Sequence, residues 1–322
     1  MSMLHIDRKY LMLLSPRLEK FKRVREDLFN FRCPYCGDSA KLKNKARGYF
    51  YRKKVDMFYR CHNCGMGTTF GKVLQWADPD LYREYILERY KDSVPNTTEP
   101  EFKFEAPKFK KKDPNLKDLI PINTLNADHP ARQYVANRLI PEEFFNDLFL
   151  CHKFSTWAKI QAEEHPRLVI PFRDETGEVV AAQGRAFGRE QPKYLTLKFD
   201  ESKPKIFGLD RIDLDETVFV VEGPLDSLFI DNCIAVAGSD FNDIPPCEAV
   251  IIMDNEKRNK EVVRTMEKLI AEDYSIVIWP DTITHKDIND CVLAGVDVKT
   301  ILENNIHQGL SAMMAIANWK RT

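Results

Sequence analysis

The sequence has no apolar run that approaches the length of a membrane-spanning helix, which excludes a helical integral membrane protein. Its first residues, 1–16, are interrupted by Asp7, Arg8 and Lys9 and lack the uncharged core of a signal peptide. Lysine and arginine (48) nearly balance aspartate and glutamate (49), so the net charge of -1 indicates no class of partner. We therefore expect a protein without membrane contact that stays in the cytoplasm of the cell that makes it.

Two further absences narrow the possible functions. The chain has no G-x-x-x-x-G-K-[ST] phosphate loop, which excludes an obvious NTP-driven motor, so another protein would have to open any duplex it uses. It also has no internal repeat. The eight cysteines are expected to be metal ligands or buried thiols, because disulfides are rare in the cytoplasm.

Composition changes along the chain and predicts several domains in 322 residues. Residues 91–117 are rich in Pro, Thr, Glu and Lys and cannot bury enough apolar surface to fold alone. From about residue 216 to 305, apolar runs, acidic turns and helical patterns alternate, which is typical of a parallel sheet with covering helices. The predicted segments are a cysteine-rich unit (1–92), a flexible linker (93–117), a mixed α/β region (118–212), the alternating region (213–305) and a carboxyl-terminal helix (306–322).

Four cysteines form two C-x-x-C-G turns, Cys33 with Cys36 and Cys61 with Cys64. Each turn directs two thiolates at one point, and two such turns complete a tetrahedral zinc site. Because four sulfur ligands fill the shell, one structural zinc per chain is expected and His62 is not a ligand. The alternative is four buried or redox-active cysteines. The remaining cysteines, which have no sequence partner, are expected in the core: Cys151, Cys233, Cys247 and Cys291.

The stretch between the two turns is strongly basic and aromatic. Residues 41–60 hold eight lysines or arginines against one acid, interleaved with aromatic residues. Cations that neutralise phosphates, set among rings that stack on unpaired bases, favour a surface for single-stranded nucleic acid. A solvated ribbon with ordinary strand aromatics is the alternative. The residues predicted to bind template are Arg47, Tyr49, Tyr51, Arg52 and Arg60.

Three acidic clusters follow three apolar runs, at residues 218–221, 249–253 and 276–279. Carboxylates at the carboxyl ends of parallel strands lie in the crevice where open α/β sheets bind ligands. Carboxylates gathered there would repel one another unless a hard cation lay between them, and Mg²⁺ is the natural candidate for that cation. The alternative is that these acids cap helices. The predicted Mg²⁺ ligands are Glu222, Asp226, Asp254, Glu256, Asp287 and Asp290.

This set resembles the TOPRIM nucleotidyl-transferase domain that DnaG-type primases and topoisomerases share. Residues 222–226 (EGPLD) match its E-G-x-x-D turn, and residues 254–256 (DNE) stand where the family has D-x-D, with Glu256 as a departure. Residues 286–290 (KDIND) are similar to the K-D-x-[DN]-[DE] element of primases. The resemblance implies that Glu222, Asp254 and Glu256 are catalytic, and that Glu222 also takes part in proton transfer.

Upstream segments narrow the resemblance to primases, and the compact size and residues 81–86 (LYREYI) are most similar to those of T-even-type bacteriophages. Residues 167–174 (RLVIPFRD), 183–185 (QGR), 192–195 (PKYL) and 205–209 (KIFGL) follow the order of the basic half of DnaG-type cores, preceded by a helix near 130–138. Arginine can grip phosphate with two parallel hydrogen bonds, which suits a nucleotide cleft. The nucleotide- or template-binding residues so implied are Arg167, Arg185, Lys193, Lys205 and Lys286.

The expected fold class is a multi-domain α+β protein: a mostly-β Cys₄ zinc ribbon, a mixed α/β basic subdomain and an α/β TOPRIM subdomain with a parallel sheet. The resemblance implies a DNA primase that makes short RNA primers on single-stranded DNA with ribonucleoside triphosphates and two catalytic Mg²⁺ ions. It also implies a hexameric replicative helicase as partner and the host cytoplasm as the compartment. The helix at residues 310–319, which carries Met313, Met314 and Trp319, is a candidate contact for the helicase, and the alternative is that it packs on its own domain. The alternatives are a TOPRIM recombination mediator and a nuclease or topoisomerase-like enzyme.

Overall fold

The computed structural model describes residues 3–38, 45–91, 116–238 and 240–322. The predicted linker 93–117 lies outside these residues except for its last two positions, as do Lys41 and Lys43 of the basic stretch. The chain divides into two compact units. The first unit contains the described residues up to Lys91 with the short segments Leu214–Glu216 and Pro245–Glu248, and the second unit contains the remainder.

The first unit is built on a five-stranded antiparallel sheet in which the strands follow one another in chain order. Its strands are β1 (Lys22–Arg25), β2 (Leu28–Phe31), β3 (Gly48–Lys53), β4 (Asp56–Cys61) and β5 (Gly67–Thr69). Three helices accompany it: α1 (Leu4–Leu14), α2 (Phe70–Ala77) and α3 (Pro79–Lys91). The core contains many aromatic rings, including Phe31, Phe50 and Phe70, together with Cys33 and Cys61.

Asp7 holds two of these helices to the sheet of the first unit. Its side chain is 1% exposed and accepts hydrogen bonds from the Met57 amide at 3.0 Å, the Tyr85 hydroxyl at 2.7 Å and the Arg89 guanidinium at 3.1 Å. These partners lie on β4 and α3, whereas Asp7 lies on α1. A buried carboxylate is stable only with such partners, so this contact fixes the packing of α1 and α3.

The second unit begins with an antiparallel five-stranded sheet, ordered β10-β9-β8-β7-β6. Its strands are β6 (Ile120–Pro121), β7 (Phe149–Cys151), β8 (Arg167–Arg173), β9 (Val179–Ala186) and β10 (Tyr194–Lys198), with helices α4 (Pro130–Ala136) and α5 (Phe154–Ala158). The sequence predicts strands near 167–172 and 179–185 within the mixed α/β region, and β8 and β9 confirm both. Nearly every residue of both is buried, which explains why apolar runs identified them.

A third sheet, ordered β12-β11-β13-β14-β15, completes the second unit. The first four strands in this order are parallel, and β15 is antiparallel to β14. Its strands are β11 (Val218–Val221), β12 (Cys233–Ala235), β13 (Ala249–Ile252), β14 (Ser275–Val277) and β15 (Ile306–His307), with helices α6 (Lys260–Ala271), α7 (Ile288–Leu293), α8 (Val298–Asn304) and α9 (Gly309–Trp319).

Local sequence explains the helix that links β13 to β14. The side chain of Asn259 caps α6 by accepting a hydrogen bond from the Glu261 amide at 3.0 Å. The buried side chains of α6 follow helical spacing, so one face packs against the sheet; they are Val262, Val263, Met266, Leu269 and Ile270. The connection after β11 differs from expectation, because it contains only a short 3₁₀ helix, Asp226–Phe229.

The expected fold class is confirmed: a zinc-binding unit precedes mixed α/β structure with a partly parallel sheet. The four cysteines outside the C-x-x-C-G turns are buried, as expected. In the described ranges, no helix combines the length and the apolarity needed to cross a membrane.

Candidate active site and metal centre

The four cysteines of the C-x-x-C-G turns meet at one point of the first unit. Their sulfur atoms all lie within 4.8 Å of one another, with Cys33 Sγ 4.0 Å from Cys64 Sγ and Cys36 Sγ 3.8 Å from Cys61 Sγ. Four Zn–S bonds of about 2.3 Å in a tetrahedron require sulfur separations of about 3.8 Å. The geometry therefore fits a structural zinc ion held by four thiolates.

Neighbouring groups support these thiolates. The Tyr59 hydroxyl donates to Cys33 Sγ at 2.9 Å, and the Asn63 side-chain amide donates to Cys36 Sγ at 3.4 Å. Burial would raise the pKa of the Cys36 thiol, but the hydrogen bond from Asn63 and contacts to neighbouring cysteines lower it to about 7. Hydrogen bonds of this kind orient metal ligands and favour the thiolate form.

The strand register brings part of the predicted template surface together. Tyr51 pairs with Phe58, and Tyr49 with Arg60, on one face of β3 and β4. Tyr51, Phe58 and Arg60 are half-buried there, but Tyr49 is only 5% exposed and packs against His62.

The other aromatic and basic residues of this stretch are placed differently. Phe50 and Tyr59 point into the core (0% and 1% exposed), so they offer no surface for stacking. Arg47 is occupied by hydrogen bonds to Asp215 at 2.6 Å, in the same unit, and to Asn63 at 2.8 Å. Arg52 is exposed and donates to the Lys54 carbonyl at 2.9 Å.

In the second unit, acids from the three clusters line one pocket. Glu222 and Asp226 follow β11, Asp254 follows β13, and Asp287 is the N-cap of α7. The parallel direction of β11 and β13 places their carboxyl ends at the same sheet edge, where open α/β sheets bind ligands. The pocket is completed by apolar residues, including Val221, Ile252, Met253, Trp279 and Ile288.

The glycine of E-G-x-x-D has a direct role in this geometry. A Cβ atom on Gly223 would lie 2.4 Å from Asp226 Oδ2, closer than any real Cβ contact. Glycine at this position therefore lets the Asp226 carboxylate lie close to the backbone of residue 223. The other carboxylate oxygen, Oδ1, accepts a hydrogen bond from the Asn289 amide at 3.1 Å. The spacing of the motif thus places two carboxylates in one pocket.

Burial and mutual repulsion raise the pKa values of three pocket acids. The pKa of Glu222 is raised to about 7, mainly by burial and further by repulsion from Asp254 and Glu256. The pKa of Asp226 is also raised to about 7, mainly by burial and further by repulsion from Asp287. The pKa of Asp254 is raised to about 6 by burial, although Lys286 opposes the change. A cation between these groups would relieve the repulsion.

Glu256 and Asp290 are placed differently from the other predicted ligands. Glu256 pairs with Lys286 at 2.9 Å, which lowers the pKa of the carboxyl, and it does not line the pocket. Lys286 also lies 3.6 Å from Asp254. Asp290 is exposed, and its amide donates to Asp287 Oδ1 at 2.8 Å. Metal binding by these two acids stays a prediction.

The pocket acids fit a magnesium ion that keeps part of its water shell. Glu222 Oε1 is buried and has no hydrogen-bond partner among the described residues, so it is available to a ligand. In the described part of the chain, only the four cysteines bring three or more ligand atoms within 4.8 Å of one another. Mg²⁺ commonly uses a few carboxylates with waters and substrate phosphates rather than a closed protein cage.

Of the five basic residues that the resemblance implied for this half of the chain, Lys286 pairs with the acids as described above, and Arg185 is linked to the pocket electrostatically. Its positive charge opposes the rise in the pKa of Asp226. Its Nε donates a hydrogen bond to the Tyr134 hydroxyl at 2.5 Å. Arg167, by contrast, is 3% exposed and donates to backbone carbonyls, including that of Pro192 at 2.9 Å.

The other two lysines of this group lie at or near the protein surface. Lys193 is exposed, with its ammonium 5.5 Å from the centre of the Tyr194 ring. Lys205 is half-buried and donates to the Ala237 carbonyl at 3.1 Å.

Sequence reasoning missed the residues that connect the basic half to the acidic pocket. Arg138 donates to Asn289 Oδ1 at 2.6 Å, and the Asn289 side chain donates back to the Arg138 carbonyl at 2.7 Å. Asn289 in turn holds Asp226 through its backbone amide. Tyr134 and Tyr194 flank Arg185, each within 6.0 Å of its guanidinium carbon. The only available signal was the position of Asn289 inside the KDIND segment.

No family model matches the sequence. The chain is 33% identical to the DNA primase of Enterobacteria phage T4 over an alignment of 345 residues that covers 98% of each protein. It is 25% identical to a DNA primase of Thermotoga maritima over 132 residues, 35% of this chain and 23% of that protein.

Among solved structures, the zinc-binding and RNA polymerase domains of the Aquifex aeolicus primase cover 94% of this chain and 85% of that chain, at 17% identity and a TM-score of 0.45. A DnaG primase catalytic domain bound to ssDNA covers 61% of this chain and 77% of that chain, at 16% identity and a TM-score of 0.47. Because the identity to the phage protein extends over nearly the full length of both chains, this chain belongs to the DNA primase family.

Proposed function

We propose that this primase synthesises short RNA primers on single-stranded DNA by metal-dependent nucleotidyl transfer, the reaction of a DNA-directed RNA polymerase. The observation that carries the proposal is the pocket in which Glu222, Asp226, Asp254 and Asp287 converge from three chain segments. Buried carboxylates with raised pKa values are a costly arrangement that a metal-binding function explains.

Two Mg²⁺ ions are the proposed cofactors of this pocket, with Glu222, Asp226, Asp254 and Asp287 as their ligands. When bound, Mg²⁺ neutralises triphosphate charge and makes the attacking 3′-hydroxyl more acidic. Glu256 is the further candidate ligand, because it shares Lys286 with Asp254.

Basic residues beside the pocket are proposed to bind the ribonucleoside triphosphate. Lys286 has a 54% exposed side chain and lies next to the acids, so its ammonium can contact a phosphate oxygen. Arg185 contributes positive charge next to Asp226 while Tyr134 and Tyr194 fix its guanidinium. Arginine held in this way loses little freedom when it binds phosphate.

Template binding is proposed for the first unit. Tyr51, Phe58 and Arg60 share one face of the sheet, and Lys53 lies 5.9 Å from the centre of the Phe58 ring. Rings and cations on a common face suit unpaired bases and their phosphates.

We also propose a hexameric replicative helicase as partner and the host cytoplasm as the compartment. One face of α9 packs inward through Ala312, Ile316 and Trp319. The opposite face leaves Leu310, Met313 and Met314 exposed by 51–72%, which offers an apolar contact area for that partner.

The direct test is RNA synthesis by the purified full-length protein on single-stranded DNA of mixed sequence, with labelled ribonucleotides and Mg²⁺. Short labelled RNAs are expected from the wild type, whereas Glu222→Gln and Asp254→Asn should reduce the product to background. The control is Asp231→Asn, which changes an exposed acid of the same unit that pairs with Lys299 at 3.5 Å. Tight DNA binding without RNA from any variant, with or without helicase, would contradict the proposal.

A further inference from the structure

In the loop that follows β13, every second residue from Met253 to Lys257 forms hydrogen bonds to other segments. The Trp279 indole donates to the Met253 carbonyl at 2.8 Å, and the Arg321 amide donates to the Lys257 carbonyl at 2.9 Å. Between these anchors lie Asp254 and Glu256. The two acids therefore project from a short backbone segment that is fixed at both ends.

Asn255, which separates the two acids, makes the largest number of these contacts. Its backbone amide donates to the Lys286 carbonyl at 2.7 Å. Its side-chain amide donates to the carbonyls of Ile283 at 2.9 Å and His285 at 3.0 Å. Its side-chain oxygen accepts from the Trp319 indole at 3.2 Å.

These bonds join separate parts of the second unit. The segment 283–286 leads directly into Asp287, so Asn255 connects the second acidic cluster to the third. Trp319 is 3% exposed and belongs to α9, so the carboxyl-terminal helix supports the same loop. If Asn255 lost these partners, the backbone carrying Asp254 and the backbone leading to Asp287 would be free to move apart.

We propose that Asn255 is a positioning residue for metal binding, supported by Trp319. This inference rests on the proposed function, because it concerns how the carboxylates of that site are held. Asn255 touches no reacting group; it acts by fixing Asp254 relative to Asp287. A metal site loses affinity when the groups that orient its ligands are removed, even when all the ligands remain.

The test is calorimetric titration of Mg²⁺ alone into the full-length, zinc-loaded protein without nucleotide or DNA. Asn255→Ala is expected to weaken binding by roughly 10- to 100-fold. Trp319→Phe keeps a buried ring but removes the indole N–H, so a smaller loss of roughly two- to tenfold is expected. The Mg²⁺ concentration that gives half-maximal RNA synthesis should rise in the same order, and excess Mg²⁺ should restore the rate.

Asn232→Ala is the matched control. The Asn232 side chain also donates to two carbonyls, of Asp213 and Thr217 at 2.9 Å each, and accepts from the Asp213 amide at 2.7 Å. It lies in the same unit but outside the acidic pocket. Its substitution should lower the melting temperature without changing Mg²⁺ affinity, which separates positioning from general stability.

The outcomes separate the two proposals. If the wild type binds no Mg²⁺, the proposed function fails and the inference fails with it. If the wild type binds Mg²⁺ and both Asn255→Ala and Trp319→Phe bind it equally well, the inference alone is overturned. Should Asn255→Ala fail to fold, Trp319→Phe decides the question by itself.

Discussion

At the scale of single residues, Gly223 controls the position of a proposed metal ligand. Gly223→Ala would place a Cβ 2.4 Å from Asp226 Oδ2 and force the buried carboxylate to move. We expect Mg²⁺ affinity to fall by roughly tenfold or more, because an oriented ligand is lost. Calorimetric Mg²⁺ titration measures this. Gly67→Ala is the control, since a Cβ there meets only the Tyr59 carbonyl at 3.8 Å; equal effects of the two substitutions would contradict the explanation.

The raised pKa values of Glu222 and Asp226, both about 7, make metal binding depend on pH. Protons compete with Mg²⁺ for these carboxylates, so affinity should weaken about tenfold per pH unit for each displaced proton below pH 7. In the unfolded chain the same carboxyls titrate at pH ~4. Between that pH and 7, the folded, metal-free protein therefore binds more protons than the unfolded chain does. Its stability should therefore fall as the pH rises through 7.

Calorimetry at pH 6, 7 and 8, in buffers with different ionisation enthalpies, measures both the affinity and the protons released. Thermal unfolding of the zinc-loaded protein in Mg²⁺-free buffer, from about pH 4 to pH 8, tests the stability of the second unit. An affinity that does not change between pH 6 and pH 8 would show that the pocket carboxylates are already ionised at pH 6.

At the scale of elements, Asp174 stabilises the turn between β8 and β9. Its carboxylate accepts from the Thr176 hydroxyl at 2.6 Å and lies 2.8 Å from the Lys203 ammonium. Burial opposes ionisation, but Lys203 and Thr176 lower the pKa to about 2. The stabilisation should be complete above about pH 4 and lost as the pH falls towards 2.

Asp174→Asn is expected to lower the free energy of unfolding by about 2 kcal/mol at neutral pH, since it removes a buried charge-assisted contact. Urea unfolding at pH 7 and pH 3 measures the loss, which should shrink at the lower pH. Asp297→Asn is the control, because Asp297 bonds Thr300 at 3.1 and 2.6 Å in an exposed setting. An equal decrease in the free energy of unfolding for both variants would indicate that burial and the Lys203 contact add nothing to the stability that Asp174 contributes.

Elements with continuous apolar runs were predictable from sequence, and those defined by short connections were not. Strands β8, β9, β11 and β13 bury nearly all of their residues, so their sequences show the pattern directly. The connection from β11 to β12, which contains Gly223 and Pro224, carries only the 3₁₀ helix Asp226–Phe229 instead of one of the covering helices that the alternating pattern predicted. For β3 and β4, the sequence indicated a basic and aromatic stretch but could not tell which aromatic side chains, here Phe50 and Tyr59, point into the core.

At the scale of the whole molecule, contacts between distant segments were beyond sequence reasoning. The acidic clusters were predicted because each follows a strand, and parallel strands end at the same edge. Nothing local indicated that Arg138 meets Asn289, 151 positions away, or that Trp319 meets Asn255, 64 positions away. Both pairs orient the predicted acids through polar side chains whose partners only the fold defines.

The division into two units predicts that zinc removal acts on one of them. Cys33 and Cys61 lie in the hydrophobic core of the first unit, so losing the metal would leave two of its ligands buried without their bond to zinc. A strong chelator should therefore abolish amide-exchange protection in β2 to β4 while β11 to β14 stay protected.

Cys61→Ser should reproduce the effect of chelation. Cys291→Ser, which changes a buried cysteine of the second unit outside the zinc site, should not expose the first unit. Exchange measured by mass spectrometry resolves the two units. If β11 to β14 lost protection together with β2 to β4, the second unit would depend on the zinc site for its stability, and the units could not be treated as independent folding bodies.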